Sequence, residues 1–142
     1  MALILVDTSA WIEFDRATGS AVDLRLKDLI ASTNAVATTE PVMMEVWAGA
    51  RDERRLGALR RLLLRFELVP FDPVVDFDAA ARLYRTCRKA GFTPRGLIDC
   101  MIAAVALRSD ATVLANDVDF ARMAAVASLR LDRASRRAHE KR

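Results

Sequence analysis

The chain has 142 residues and a mass of 15.7 kDa, which suits one domain and excludes two full ones on a prior of roughly 100–200 residues per domain. With 53% hydrophobic and 29% charged residues, it carries too much apolar side chain for a disordered chain and is long enough to fold without a structural metal or disulfide. The net charge of +3 divides into −4 over residues 1–50 and +7 over residues 51–142, a balance that suits a polyanionic partner as well as ordinary solvated helix faces.

Ala2 to Val6 is a short continuous apolar run, the pattern of a strand covered on both faces, and it ends at Asp7-Thr8-Ser9, which offers turn and capping chemistry. Ser20 can cap a helix carrying Val22, Leu24, Leu26, Leu29 and Ile30. Ala35 to Thr38 reads as a second strand. Pro41 sets the first turn of a helix over Glu40 to Ala48, with Gly49 at its stop. An arginine-rich amphipathic helix follows over Arg51 to Arg65, then a third strand over Glu67 to Phe71 and a long helix over Val74 to Ala90, closed by Gly91. Thr93 to Gly96 is a loop leading into Leu97 to Leu107, a helix apolar at every position but Asp99 and therefore central. Thr112 to Ala115 gives a fourth strand, Asp119 to Ala125 a short helix, and Ser128 to Leu131 an edge strand. The alternation predicts an α/β fold of three α/β/α layers with a mainly parallel sheet of four to five strands, occupying residues 1–132, with a basic tail over 133–142. Cys87 and Cys100 lack the spacing of a zinc site or the density of a secreted scaffold. They are read as reduced, in a cytoplasmic protein. No apolar stretch has the length of a membrane span, and Asp7 interrupts the first run before a signal-peptide pattern develops.

Asp7, Glu45 and Asp99 each stand alone in a segment that should be buried. An ionised carboxylate placed there without a partner costs several kcal/mol or is protonated. In parallel α/β sheets ligands bind beyond the carboxyl ends of the strands, where Asp7 and Asp117 both fall, with Asp119 two residues on. Glu45 and Asp99 lie early in helices that follow loops and can reach the same edge. A cluster of this kind calls for a hard divalent cation with oxygen ligands, Mg²⁺ or Mn²⁺. Taken singly, each acid also has an ordinary reading: Asp7 and Asp99 as helix caps, Asp117 and Asp119 as turn residues, Glu45 as an arginine partner.

Val6-Asp-Thr-Ser9 after a strand, Glu45 in an apolar helix, Leu97-Ile-Asp99 opening a buried helix and Ala115-Asn-Asp-Val-Asp-Phe120 after a late strand together resemble the PIN-domain ribonucleases, specifically the VapC-like toxins of bacterial toxin–antitoxin pairs. The resemblance runs from Leu3 to about Leu131 in matching order. It implies metal-dependent endonucleolytic cleavage of RNA, with Asp7, Glu45, Asp99 and Asp117 as catalytic acids. Asp7, Asp99 and Asp117 would hold Mg²⁺ or Mn²⁺, Glu45 a water or second ion, and Thr8, Ser9 and Asp119 would give support, with a hydroxyl of Thr8 or Ser9 serving Asp7. Ala115 departs from the pattern, since the family often has a threonine or serine there. The resemblance further implies a homodimer and a VapB-like antitoxin whose extended C-terminal segment lies in a groove near the acids.

Arg95 precedes Asp99 by four residues and so lies near the expected site, where its planar guanidinium suits a phosphate. It is equally readable as a surface arginine. Met43, Met44, Val46, Trp47 and Trp11 are expected in the core, with one face of their helix available to a partner. A haloacid-dehalogenase-type phosphotransferase is excluded because Ser9 stands where its second aspartate belongs. The alternative of another class is a non-catalytic RNA- or protein-binding module that keeps the fold.

Overall fold

The apolar run that opens the chain forms β1 (Ile4–Val6), and the further strands are β2 (Val36–Thr38), β3 (Glu67–Leu68), β4 (Thr112–Leu114) and β5 (Arg130–Leu131). They make one sheet in the order β3-β2-β1-β4-β5, parallel throughout, with Leu5 opposite Ala37 on one side and Val113 on the other. The computed structural model describes residues 2–135; residues 136–142 of the basic tail, His139 among them, lie outside the described residues.

The helices that join or follow the first four strands are α1 (Thr8–Asp15), α2 (Ala21–Ser32), α3 (Glu40–Ala48), α4 (Glu53–Leu63), α5 (Asp76–Lys89), α6 (Leu97–Ser109) and α7 (Val118–Val126), and residues 133–135 are helical after β5. Right-handed crossovers put α1 to α4, which link β1, β2 and β3, on one face, and α5 to α7, which link β3, β4 and β5, on the other. The contacts agree: α1 touches α2 and α3, and α3 touches α4, while α5 touches α6 and α7. This is the expected α/β/α sandwich. Its chain direction reverses at β1, so the crevice beyond the carboxyl ends of β1 and β4 is the topological switch point. There α3 and α6 meet from opposite layers.

Burial explains why these segments hold. Leu5, Val6, Ala37, Val113 and Leu114 are fully enclosed between the layers, and Ile102 to Ala106 of α6 lie against them. Trp11 is buried between Phe14 and Phe66, with ring centroids 5.8 and 5.3 Å away, and so joins α1 to the end of α4. On α3 Val46 is buried, whereas Met44 is half exposed.

The helix starts differ from the expected ones where a cap decides. α1 has little signal of its own beyond the capping reading of Asp7, because aromatic and β-branched Trp11, Ile12 and Phe14 favour a helix little; Asp7 does cap it, accepting from the Ser9 N–H at 3.0 Å. Asp52 caps α4 through the Arg55 N–H at 2.8 Å, which moves its start past Arg51. α5 begins at Asp76, after a Pro73-Val-Val turn. Gly91 closes it at φ 92°, a left-handed conformation that favours glycine, whereas Gly49 sits at φ −81° and needs no such freedom. After β5, Ala134 and Ser135 are buried, and Ser135 Oγ accepts from the Ala115 N–H at 2.9 Å, so these residues lie against β4.

Cys87 on α5 and Cys100 on α6 are free and fully buried. Burial pushes the Cys100 thiol up to about 12, which keeps it protonated and unsuited to bind metal. Among the described residues no helix is long and apolar enough to cross a membrane.

Candidate metal centre

Each acid reaches the switch point for a local reason. Asp7 follows β1 directly and its backbone N–H donates to Leu114 O at 2.9 Å, so the β1–β4 register sets its place. Glu45 is on the sixth residue of α3 and Asp99 in the first turn of α6, the two helices that meet across the sheet edge. Asp117 caps α7, accepting from the Asp119 N–H at 2.9 Å, and Asp119 is drawn inward beside fully buried Phe120.

The acids form two groups that share Asp99. Asp7, Glu45 and Asp99 each offer a carboxylate oxygen within 4.8 Å of the others, and so do Asp99, Asp117 and Asp119. Of the expected ligands Asp7, Asp99 and Asp117, Asp99 stands in both groups, with Glu45 beside Asp7 and Asp119 beside Asp117. The threonine and serine after Asp7 divide their work. Ser9 Oγ donates to Asp7 Oδ2 at 2.6 Å and accepts from the Asn116 N–H at 2.8 Å, tying the ends of β1 and β4 together. Thr8 Oγ1 donates instead to Glu45 Oε1 at 2.7 Å.

Electrostatics mark the first group as short of positive charge. Asp7 is 2% exposed, and its Oδ1 has no hydrogen-bond partner among the described residues. Burial pushes its carboxyl up to about 6 against the lowering effect of both Ser9 bonds, and the charges of Glu45 and Asp117 add to the rise. Burial and then the charges of Asp7, Asp117, Glu45 and Asp119 raise Asp99 to about 8. No lysine or arginine pairs with Asp7, Glu45 or Asp99 among the described residues. An all-oxygen donor set with a buried, unpartnered carboxylate oxygen fits a hard divalent cation such as Mg²⁺ or Mn²⁺.

In the second group, protein cations offset Asp117 and Asp119 but not Asp99. Arg95 donates from Nη2 to Asp117 Oδ1 at 2.8 Å, and from Nε and its backbone N–H to Asp119 Oδ2 at 3.4 and 3.0 Å. Arg122 Nη1 stands 4.0 Å from Asp119 Oδ1 with its guanidinium over the Phe92 ring. That i,i+3 pair was readable from spacing; the contact of Ser135 with Ala115 was not, since it joins a strand end to a segment read as tail. It places a hydroxyl from another element on the backbone at the very position where Ala115 lacks one.

Ser9 is the most informative support to remove. Ser9→Ala takes the shorter of the two hydrogen bonds, that from Oγ, from the ionised form of Asp7 and unties Asn116 from it, while the backbone N–H bond remains, so a proton competes harder with a cation there. Mn²⁺ affinity should fall about 10–100-fold, as for other residues that orient metal ligands, and isothermal titration of Mn²⁺ at pH 7 measures it.

A parallel α/β/α sandwich that gathers five carboxylates at its switch point is an acid-cluster domain whose donor set fits a hard cation. Residues 4–126 match the PIN domain family model, and the chain belongs to the PIN-domain family. It is 41% identical over 128 residues, 89% of this chain and 96% of the relative, to Ribonuclease VapC11 of Mycobacterium tuberculosis. Among solved structures, DNA-bound VapBC from Salmonella typhimurium aligns with 93% of this chain and 98% of its own at a TM-score of 0.74 and 20% identity. VapBC-5 from Mycobacterium tuberculosis, a member of the VapBC family of toxin–antitoxin systems, aligns with 92% and 98% at a TM-score of 0.64 and 25% identity.

Proposed function

We propose that this chain is a Mg²⁺- or Mn²⁺-dependent endoribonuclease and the toxin of a type II toxin–antitoxin pair. The observation that carries the reading is the unpartnered, buried Oδ1 of Asp7 facing a site where Glu45 and Asp99 also converge. The 41% identity to a ribonuclease supports it.

Asp7, Glu45 and Asp99 would hold the cation, and Asp117 with Asp119 would complete the acid cluster around Asp99. A bound divalent cation supplies Lewis acidity, neutralising phosphate charge and acidifying water. The chain's residues prepare that chemistry. Ser9 fixes one oxygen of Asp7 and leaves the other free, Thr8 does the same for Glu45, and the enclosed position of Asp7 excludes bulk water and strengthens every charge interaction nearby. Burial and the neighbouring acids favour the protonated form of Asp99 near neutral pH, and a bound cation would favour its ionised form. The reaction is in-line hydrolysis: a water oxygen attacks phosphorus, the P–O3′ bond breaks and the departing O3′ takes a proton, leaving a 5′-phosphate and a 3′-hydroxyl.

A VapB-like antitoxin is the proposed partner. A groove of about 460 Å³ beside the acids, lined by Trp11, Ile12, Glu45, Val46, Arg51 and Arg55 among others, has the mixed apolar and charged walls that an extended antitoxin segment requires. The toxin is proposed to act as a homodimer in the cytosol, where its two free thiols stay reduced.

Incubation with total cellular RNA in Mg²⁺ or Mn²⁺, beside an EDTA control and a Glu45→Gln variant, tests the function. Discrete cuts with 5′-phosphate ends, lost in both controls, are expected. Tight RNA binding without cuts would replace this reading by a non-catalytic RNA-binding module.

A further inference from the structure

The two carboxylate groups are alike in composition and unlike in charge balance. Asp7, Glu45 and Asp99 have no cationic side chain and keep an unpartnered buried oxygen, whereas Asp117 and Asp119 are bridged by one arginine. We infer that the Arg95 guanidinium is the site's second positive charge: it fills the Asp99/Asp117/Asp119 group, so the chain alone takes one divalent cation, at Asp7, Glu45 and Asp99, and offers the free edge of the guanidinium to an RNA phosphate. This rests on the reading of the cluster as a cation site.

Three features carry the inference. The arginine is anchored, because its backbone N–H binds the same Asp119 oxygen as its Nε, at 3.0 and 3.4 Å, and this fixes the loop ahead of α6 whatever the side chain does. Its position competes with a cation, since the Asp117 Oδ1 and Asp119 Oδ2 that receive it belong to the carboxylates a second cation would need. It is also incompletely used: a guanidinium has five N–H donors in a planar fork, the side-chain bonds to Asp117 and Asp119 take two, and the side chain is 72% exposed. The remaining donors face solvent at the mouth of the site, where their geometry matches two phosphate oxygens. Arg95 therefore sets the cation count and meets the substrate phosphate with the donors it has left.

Mn²⁺ binding by the purified chain at pH 7, followed by calorimetry and by electron paramagnetic resonance of free Mn²⁺, tests this without reference to activity. The wild type and Arg95→Lys should each bind one Mn²⁺. Arg95→Ala should bind two, and Arg95→Ala with Asp119→Asn should return to one. Circular dichroism of the variants establishes that they fold, which the exposure of the side chain favours. Two Mn²⁺ in the wild type, or one in Arg95→Ala, would overturn the inference and leave the nuclease reading intact. No Mn²⁺ bound by any variant would overturn the cation site itself, and the inference with it.

Discussion

Asp99→Asn should abolish RNA cutting and at the same time make the cation-free protein less sensitive to rising pH. Asp99 is the one acid common to both carboxylate groups, so its loss removes a ligand and the several kcal/mol of charge stabilisation that a bound cation gives a phosphoryl transition state. At 1.36 kcal/mol per tenfold, a loss of about 10³-fold or more in cleavage rate is expected. The stability effect has the opposite sign. Burial and neighbouring charges hold the Asp99 carboxyl at about 8 in the folded chain against 3.8 for an ordinary aspartate. Between those values the folded state keeps a proton that the unfolded state has released, and stability falls as pH rises. Asp7, raised to about 6, adds to the same fall over the lower part of that range. Asparagine cannot ionise, so in EDTA the drop in Tm from pH 5 to pH 8 should be smaller in the variant than in the wild type. Mn²⁺ at pH 8 should raise the Tm of the wild type and leave that of the variant nearly unchanged.

The second large effect lies away from the site. Asp76 at the start of α5 is 1% exposed and is held by Arg108 of α6, which donates from Nε to Oδ1 at 2.9 Å and from Nη2 to Oδ2 at 2.8 Å. The same Nη2 donates to Pro70 O at 2.6 Å, and the Asp72 N–H donates to Asp76 Oδ2 at 2.7 Å. Arg108→Met keeps most of the aliphatic stem and removes the charge, stranding a buried carboxylate. The expected destabilisation is about 3 kcal/mol, and the expected fall in Tm about 6–12 °C. Burial by itself would raise the Asp76 carboxyl, but the Arg108 bonds, the Asp72 N–H and the Arg108 charge hold it below the ordinary carboxylate range. Its stabilising contribution is present above that range and is lost as pH falls through the lower folded value. In Arg108→Met this acid-side loss should disappear, and a pH series of thermal melts separates it from the opposite trend of Asp7 and Asp99.

What could be read from the residues depended on whether a segment carried its own signal. The run Ala2 to Val6 and the apolar helix after Gly96 announce their burial, and Asp7 and Asp99 are conspicuous because one ends and the other interrupts an otherwise apolar run. α1 announces nothing, since its formation depends on the Asp7 cap and on Trp11 lying against Phe66, a contact from the end of α4. The grouping of the acids was equally out of reach. Glu45 stands with Asp7 because α3 and α6 meet across the sheet edge and Thr8 holds Glu45, a result of tertiary placement that spacing does not encode. The position of Arg95 was legible from its nearness to Asp99. Its acceptors were not, because Asp117 and Asp119 lie 22 and 24 residues further along the chain.

The measurement that bears most directly on the site is an anomalous difference map from crystals soaked in Mn²⁺, collected on wild type and Asp99→Asn. The expected result is one strong peak among the carboxylates of Asp7, Glu45 and Asp99 in the wild type and none in the variant. A wild-type map with no peak at these acids, in crystals that show Mn²⁺ elsewhere, would contradict the account of this cluster as the centre of the chemistry.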